Sequence, residues 1–245
     1  RVNHPKVEWI MAVSVVLVAG LVQIKTITDL PLKDYRPYAV GESIIQNRLS
    51  ADEIGLDAPV YATEYTFKNI LTGLDTVVLS SDYLKVYNVD SFVSTYEIVS
   101  YEGAEVKISD GYEPRIMDLI MENTAGDDLT DEILSKKGYT FFYISKDLEA
   151  VAEAGAPGQE EFNALADAAQ KEGITFYGLT NAGADFNSAF ATEYSAPYEF
   201  LTCDQIELKI VIRSNPGLVL IKDGVVEGKW SWRDIPTFSD FVNLP

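Results

Sequence analysis

The sequence predicts an α/β sandwich with a mixed sheet, preceded by a small β-rich segment and an N-terminal transmembrane helix. Three observations predict it. Between Trp9 and Ile24 the chain reads WIMAVSVVLVAGLVQI without a charged side chain. From Tyr61 to Tyr112 it alternates polar and apolar residues at the period of strands. From Glu113 onward, apolar runs alternate with helical patterns and end in a hairpin, the order expected of helices packed on a sheet.

Composition narrows the chemistry. The 38 Asp and Glu outnumber 19 Lys and Arg and leave a net charge of −19. Such a surface repels a phosphate backbone, so nucleic acid is not an expected partner. The acidity belongs to the later part of the chain: residues 1–36 hold five basic against three acidic side chains, the remainder 14 against 35. His4 and Cys203 are the only histidine and cysteine. Structural zinc sites, a Ser-His-Asp triad in the main domain, a CxxC pair and an intrachain disulfide are thereby excluded. No catalytic residue, metal or cofactor is assigned, and an enzymatic role is not expected.

The uncharged run from Trp9 to Ile24 spans roughly 24 Å as a helix, slightly short of a bilayer core, and extends to Ile27 if the Lys25 stem reaches the interface. Trp9 and Gly20 suit such a helix, and His4 is an interfacial bystander. A signal-peptide core or a buried soluble helix would share this composition. The first residue is not Met, so the chain is read as the trailing part of a longer protein. Residues 1–27 are thus a transmembrane helix with its flanks and 28–60 a connector with a short helix at 42–49. Residues 61–112 form a hairpin-rich segment and 113–245 the main domain.

Within 61–112, YATEYTFKN and LDTVVLSS pair around Asn69 to Gly73, and a second pair turns at Glu102 and Gly103. In the main domain, PRIMDLIMENTAGDDLTDEILSKK reads as a strand, a turn at Gly126 and Asp127, and a short helix. YTFFYIS at 139–145 is a strand covered on both faces. QEEFNALADAAQKEG places Phe162, Leu165, Ala166 and Ala169 on one helical face and stops at Gly173. ITFYGLT (174–180), a helix at 183–193, YEFLT and a helix at 204–212 follow. GLVLIKDGVVEGKWS closes the domain as a hairpin turning at Lys222-Asp223-Gly224.

The run IVIRSNPGLVLIKDGVVEGKW (210–230) resembles the end of a thioredoxin domain, with a loop ending in Pro216 before two antiparallel strands. The resemblance implies a thioredoxin-like sandwich and a cis Asn215-Pro216 bond. It also places the family's cysteines just after YTFFYIS, where this chain has Ser145-Lys146-Asp147-Leu148-Glu149-Ala150. With no thiol there, the dithiol mechanism is not implied for this domain. LPLKDYRPYAVG, YTFKNILTG, GYEPRIMDL and IRSNPGLVLIKDG further resemble Bacteroidetes membrane proteins of the DoxX and MauE type with a C-terminal thioredoxin-like extension. That resemblance implies the inner membrane, with the extension in the periplasm and earlier transmembrane helices upstream.

The expected role is a membrane-anchored, redox-inactive interaction or scaffolding subunit of a cell-envelope complex, with membrane lipid and a protein as partners. The alternative is an accessory thiol-redox or electron-transfer protein that uses Cys203 or a partner membrane domain. Ser145, Arg213, Ser214, Asn215 and Pro216 are the candidate peptide-binding groove. Cys203, near a helix start, is the candidate redox residue, set against a small buried hydrophobe. Trp230 and Trp232 read as packing of the last strand. Asp127, Asp128 and Asp131 read as a helix start in preference to a calcium loop, because the EF-hand spacing is absent.

Overall fold

The computed structural model describes residues 5–28, 30, 31 and 33–241, and His4 lies outside them. The chain divides into two compact units, residues 1–48 together with 115–245, and residues 49–114. The first helix, α1 (Pro5–Thr28), distributes its apolar residues around its axis with no single apolar face. Trp9, Ile10, Met11, Val13, Val15, Val16, Leu17, Val18 and Val22 are all exposed on it. Among the described residues, no helix is long and apolar enough to cross a membrane. The transmembrane helix expected at 1–27 is therefore not supported, and its described part is a helix with exposed apolar side chains.

Residues 30–48, expected to be a tether, are built into the first unit. Tyr38 and Ile44 sit in its core at 1% and 5% exposure. The Gly41 amide donates to the Val226 carbonyl at 2.7 Å, Val226 donates back to Glu42 at 3.0 Å, and Ile44 donates to Gly224 at 2.9 Å. A short helix follows, α2 (Ile44–Arg48). This arm pairs with the outer edge of the main sheet, satisfying backbone groups that an open edge strand would leave to solvent.

The second unit begins with α3 (Ala51–Ile54), held by a capping box in which Ser50 and Glu53 satisfy each other's backbone amides. Its sheet centres on β1 (Val60–Asn69), which pairs with β2 (Asp75–Leu79) as the expected hairpin. The Asn69 side-chain oxygen accepts from the amides of Leu71 and Thr72 at 3.0 and 2.9 Å and fixes the turn. Two short helices follow, α4 (Tyr83–Tyr87) and α5 (Asp90–Thr95), with rings of Tyr83 and Phe92 packed on Phe67. The second expected hairpin does not form. Instead β3 (Tyr96–Ser100) and β4 (Glu105–Ser109) each pair antiparallel with β1, at its two ends. The connection crosses the β1 backbone so closely at Gly103 that a Cβ there would lie 2.0 Å from the Glu64 carbonyl oxygen. A glycine is required for that crossing, which a reading of Glu102-Gly103 as a plain turn does not anticipate.

In the first unit the chain resumes with 115–129, where the expected strand is reduced to single bridges from Glu122 to Thr202 and to Asp128. It continues through α6 (Thr130–Ser135) into β5 (Tyr139–Ser145), α7 (Leu148–Glu153), α8 (Gln159–Lys171), β6 (Thr175–Thr180) and α9 (Ala184–Glu193). Then come β7 (Glu199–Thr202), α10 (Gln205–Val211), β8 (Gly217–Lys222) and β9 (Val225–Ser231). The sheet order is β7-β6-β5-β8-β9. Strands β5, β6 and β7 run parallel, and β8 and β9 are antiparallel to their neighbours.

Central β5 has cover on both faces, as its apolar run predicts. Phe142 and Ile144 pack with Tyr38, Leu134, Leu208 and Val211 on one side. Phe141 and Tyr143 pack with Leu148, Phe162, Leu165 and Phe190 on the other. Asp223 and Gly224 both take positive φ, 51° and 79°, as a two-residue hairpin turn requires. The Asn215-Pro216 bond is cis. Element order, mixed sheet and cis-proline loop together make this the expected thioredoxin-like sandwich.

Candidate functional site

Parallel strands deliver side chains to one sheet edge at their C-terminal ends, where α/β folds gather ligands. Ser145 ends β5, Asn181 follows β6, and Cys203 follows β7. All three sit at the same end of the sheet because the strands are in parallel register.

At the β5 end, the position that carries the thiol pair in the resembling family is sealed. Ser145 has no exposed surface. Its hydroxyl donates to the Asn215 side-chain oxygen at 3.0 Å, and the Asn215 amide donates to the Asp147 carbonyl at 2.9 Å. The Lys146 ammonium donates to the Arg213 carbonyl. Gln205 donates to the Lys146 carbonyl at 3.0 Å, and Asn181 accepts from the Leu148 amide at 3.1 Å. The Asp147 carboxylate caps α7 by accepting from the Ala150 amide at 3.0 Å. A carboxylate thus occupies the helix start that would otherwise stabilise a thiolate.

The remaining groove candidates divide by exposure. Ser214 is buried, its hydroxyl donating to the Pro216 carbonyl at 2.5 Å and lying 3.1 Å from the Ser231 hydroxyl. Pro216 is buried, Asn215 half-buried and Arg213 exposed. Burial lowers the proton affinity of the Lys146 ammonium, and the cations Arg36, Lys209 and Arg213 lower it further. The five residues thus sit at one corner of the domain, with their polar groups largely spent on one another and on Lys146, Asp147 and Ser231.

Cys203 is 4% exposed. Burial pushes its thiol up to about 12, with Glu207 and Asp204 adding to the shift. It does precede α10, whose first turn is capped by Asp204 accepting from Ile206 and Glu207 at 2.7 and 3.2 Å. The anticipated activation is nevertheless reversed, because desolvation and two carboxylates disfavour the thiolate. As a small buried hydrophobe it packs with Leu201, Leu208 and Met121.

Other candidates resolve into structural roles. Asp127 accepts from the Asn123 amide at 3.0 Å, Asp128 caps Thr130, and Asp131 pairs with Arg48 at 2.7 Å. Trp230 lies on β9 and Trp232 just beyond its end, both packed on the cluster around Phe141.

Sequence reasoning missed a cleft of about 860 Å³ beside Cys203, lined by Met117, Asp118, Ile120, Glu122, Ile206 and Glu207 among others. Met117 and Ile206 are 72% and 68% exposed. Glu207 accepts a short hydrogen bond from the buried Tyr38 hydroxyl. Burial raises the Glu207 carboxyl above its usual range, opposed by the Tyr38 bond and aided by Asp118 and Asp204. The available signal was positional: Asn181 and the Cys203-to-Gln205 stretch directly follow parallel strands.

No family model matches the chain, and no curated protein matches it. Nothing in the comparisons thus speaks for a DoxX or MauE membrane part. Among solved structures, the chain is similar to a putative protein disulfide isomerase from Bacteroides thetaiotaomicron. The two share 14% identity over 51% of this chain and 81% of that one, with a TM-score of 0.38. The thioredoxin domain of a thiol-disulfide oxidoreductase from Bacteroides vulgatus gives 14% identity over 45% and 82%, with a TM-score of 0.36. Yeast Sco1 gives 17% identity over 52% and 91%, with a TM-score of 0.36.

Proposed function

We propose that this chain is a thioredoxin-like binding module that works without dithiol chemistry. On this reading it is anchored to a membrane through α1 and serves as an interaction or scaffolding subunit of a cell-envelope complex. The observation that carries the non-redox part is the sealed corner. Ser145 is fully buried and hydrogen-bonded to Asn215, where a redox pair would need exposed sulfur. Membrane attachment is supported by the apolar side chains exposed all around α1, which lipid would cover. Placement at the inner membrane with the domain in the periplasm follows only from the resemblance to DoxX and MauE-type proteins.

The test is insulin reduction in dithiothreitol by the full chain, next to a Cys203→Ser variant, together with flotation on phosphatidylcholine vesicles. No reduction above background and co-flotation are expected. Reduction that depends on Cys203 would overturn the non-redox reading, and protein left at the bottom of the gradient would overturn the attachment. A second reading, an accessory redox protein using Cys203, has one observation in its favour: the residue borders the cleft. Its burial and raised thiol pKa weigh against it.

A further inference from the structure

We infer that the cleft between residues 115–122 and α10 is the docking site for an extended, basic segment of a partner protein, lysine or arginine alternating with aliphatic residues. The inference rests on the reading of the chain as a binding module and assigns that module its surface.

Three observations converge on this occupant. First, three exposed apolar side chains border one cleft: Met117, Ile120 and Ile206 are 72%, 46% and 68% exposed. Apolar side chains grouped around a concavity mark a contact surface more than scattered ones do.

Second, the charge is predominantly negative. Asp118, Glu122, Asp204 and Glu207 line the cleft with Arg115 as the cation, and Arg115 is already paired with Glu42 at 2.8 Å. Among the described residues none of these four carboxylates has an ion-pair partner. Glu207 is only 7% exposed, with one oxygen held by Tyr38. A buried carboxylate beside other unpaired acids is costly to keep, and a cation entering the cleft relieves it.

Third, two of the lining residues carry backbone groups that are still available. Met117 and Asp118 belong to no helix or strand, and among the described residues their amides and carbonyls make no backbone hydrogen bond. A peptide laid alongside them can pair main chain to main chain, place alternate side chains on Met117, Ile120 and Ile206, and direct the intervening cations to the acids. A small cation would use the acids but neither the apolar walls nor the backbone.

The experiment uses the full chain and fluorescein-labelled ten-residue peptides alternating lysine with leucine or valine, read by anisotropy. Matched peptides carry glutamate or serine in place of lysine. The lysine peptide is expected to bind and the other two not. A Met117→Ser/Ile206→Ser double variant, which truncates exposed side chains only, is expected to weaken binding by about tenfold or more. Asp118→Lys is expected to do the same. Glu160→Lys on α8, equal in charge change and away from the cleft, is expected to leave affinity within about twofold. Amide resonances of 117–119 and 203–207 are expected to shift on titration.

Equal losses in Asp118→Lys and Glu160→Lys would reduce the binding to bulk charge and overturn the inference. So would failure of the lysine peptide to bind, or shifts confined to another surface. None of these results would touch the binding-module reading, which falls separately if Cys203-dependent insulin reduction is seen.

Discussion

Removing the carboxylate of Asp34 tests whether residues 30–48 are part of the domain or a leash attached to it. Lys229 on β9 has a side chain only 4% exposed, and its ammonium is held by Asp34 at 2.8 Å and by the Tyr38 carbonyl at 3.2 Å. Asp34 is 15% exposed and also pairs with Arg36 at 2.7 Å. In Asp34→Ala the ammonium stays buried with one neutral acceptor. Breaking one side of a buried pair costs about 3–5 kcal/mol, and the retained Tyr38 carbonyl puts this case near ~3 kcal/mol. Asp34→Ala/Lys229→Met removes both charges and is expected to recover most of the loss. Urea unfolding followed by tryptophan emission reads the effect, because Trp230 and Trp232 pack within the same unit. A loss below about 1 kcal/mol, or no recovery in the double variant, would refute the assignment of the arm to the core.

The pH dependence has a defined sign. Burial raises the Asp34 carboxyl, but hydrogen bonds from Arg36 and Lys229 outweigh it and hold it well below the usual range. Its stabilisation is therefore complete above the unfolded value of 3.8 and drains away as pH falls toward the folded value. Unfolding of wild type between pH 5 and pH 2 should show this loss, and the double variant should show less of it.

Cys203 should resist iodoacetamide in the native state at pH 8 and react in urea, because a thiol at about 12 leaves on the order of one molecule in 10⁴ as thiolate. Rapid native alkylation, followed by mass spectrometry, would contradict this. Ser145→Ala should cost about 1–2 kcal/mol in thermal or urea unfolding by stranding the Asn215 oxygen, without opening the corner to reagents. Gly103→Ala should destabilise the 49–114 unit by roughly 3 kcal/mol, because the added methyl meets the Glu64 backbone. Limited proteolysis should then cut within 60–109 while the thioredoxin-like unit survives.

Much of the main domain was legible because its signals are local. The apolar run YTFFYIS, the 3.6-residue spacing of Phe162, Leu165, Ala166 and Ala169, and the Lys-Asp-Gly turn each specify an element without reference to distant residues. What stayed hidden depends on partners far away in sequence. Residues 30–48 carry two prolines and no period, yet they find hydrogen-bond partners at Gly224 and Val226. The β3 and β4 strands alternate well enough to suggest each other, but β1 is long enough to pair with both. At the candidate site, the resemblance around Pro216 pointed to the corner where Ser145 hydrogen-bonds Asn215. The environment of Cys203 was not readable, since the burial that raises its thiol comes from the segment at 115–122 and from α10 together.

The pairing of the arm with β9 also has a mechanical meaning. Helix α1 ends at Thr28, and Leu30 already packs against the sheet's core. The contour between them is only about 7 Å. A pull on α1 would meet the sheet first at Leu30 and then at the Asp34–Lys229 pair and Tyr38. Whatever holds α1 is therefore separated from the sandwich by only two residues of chain.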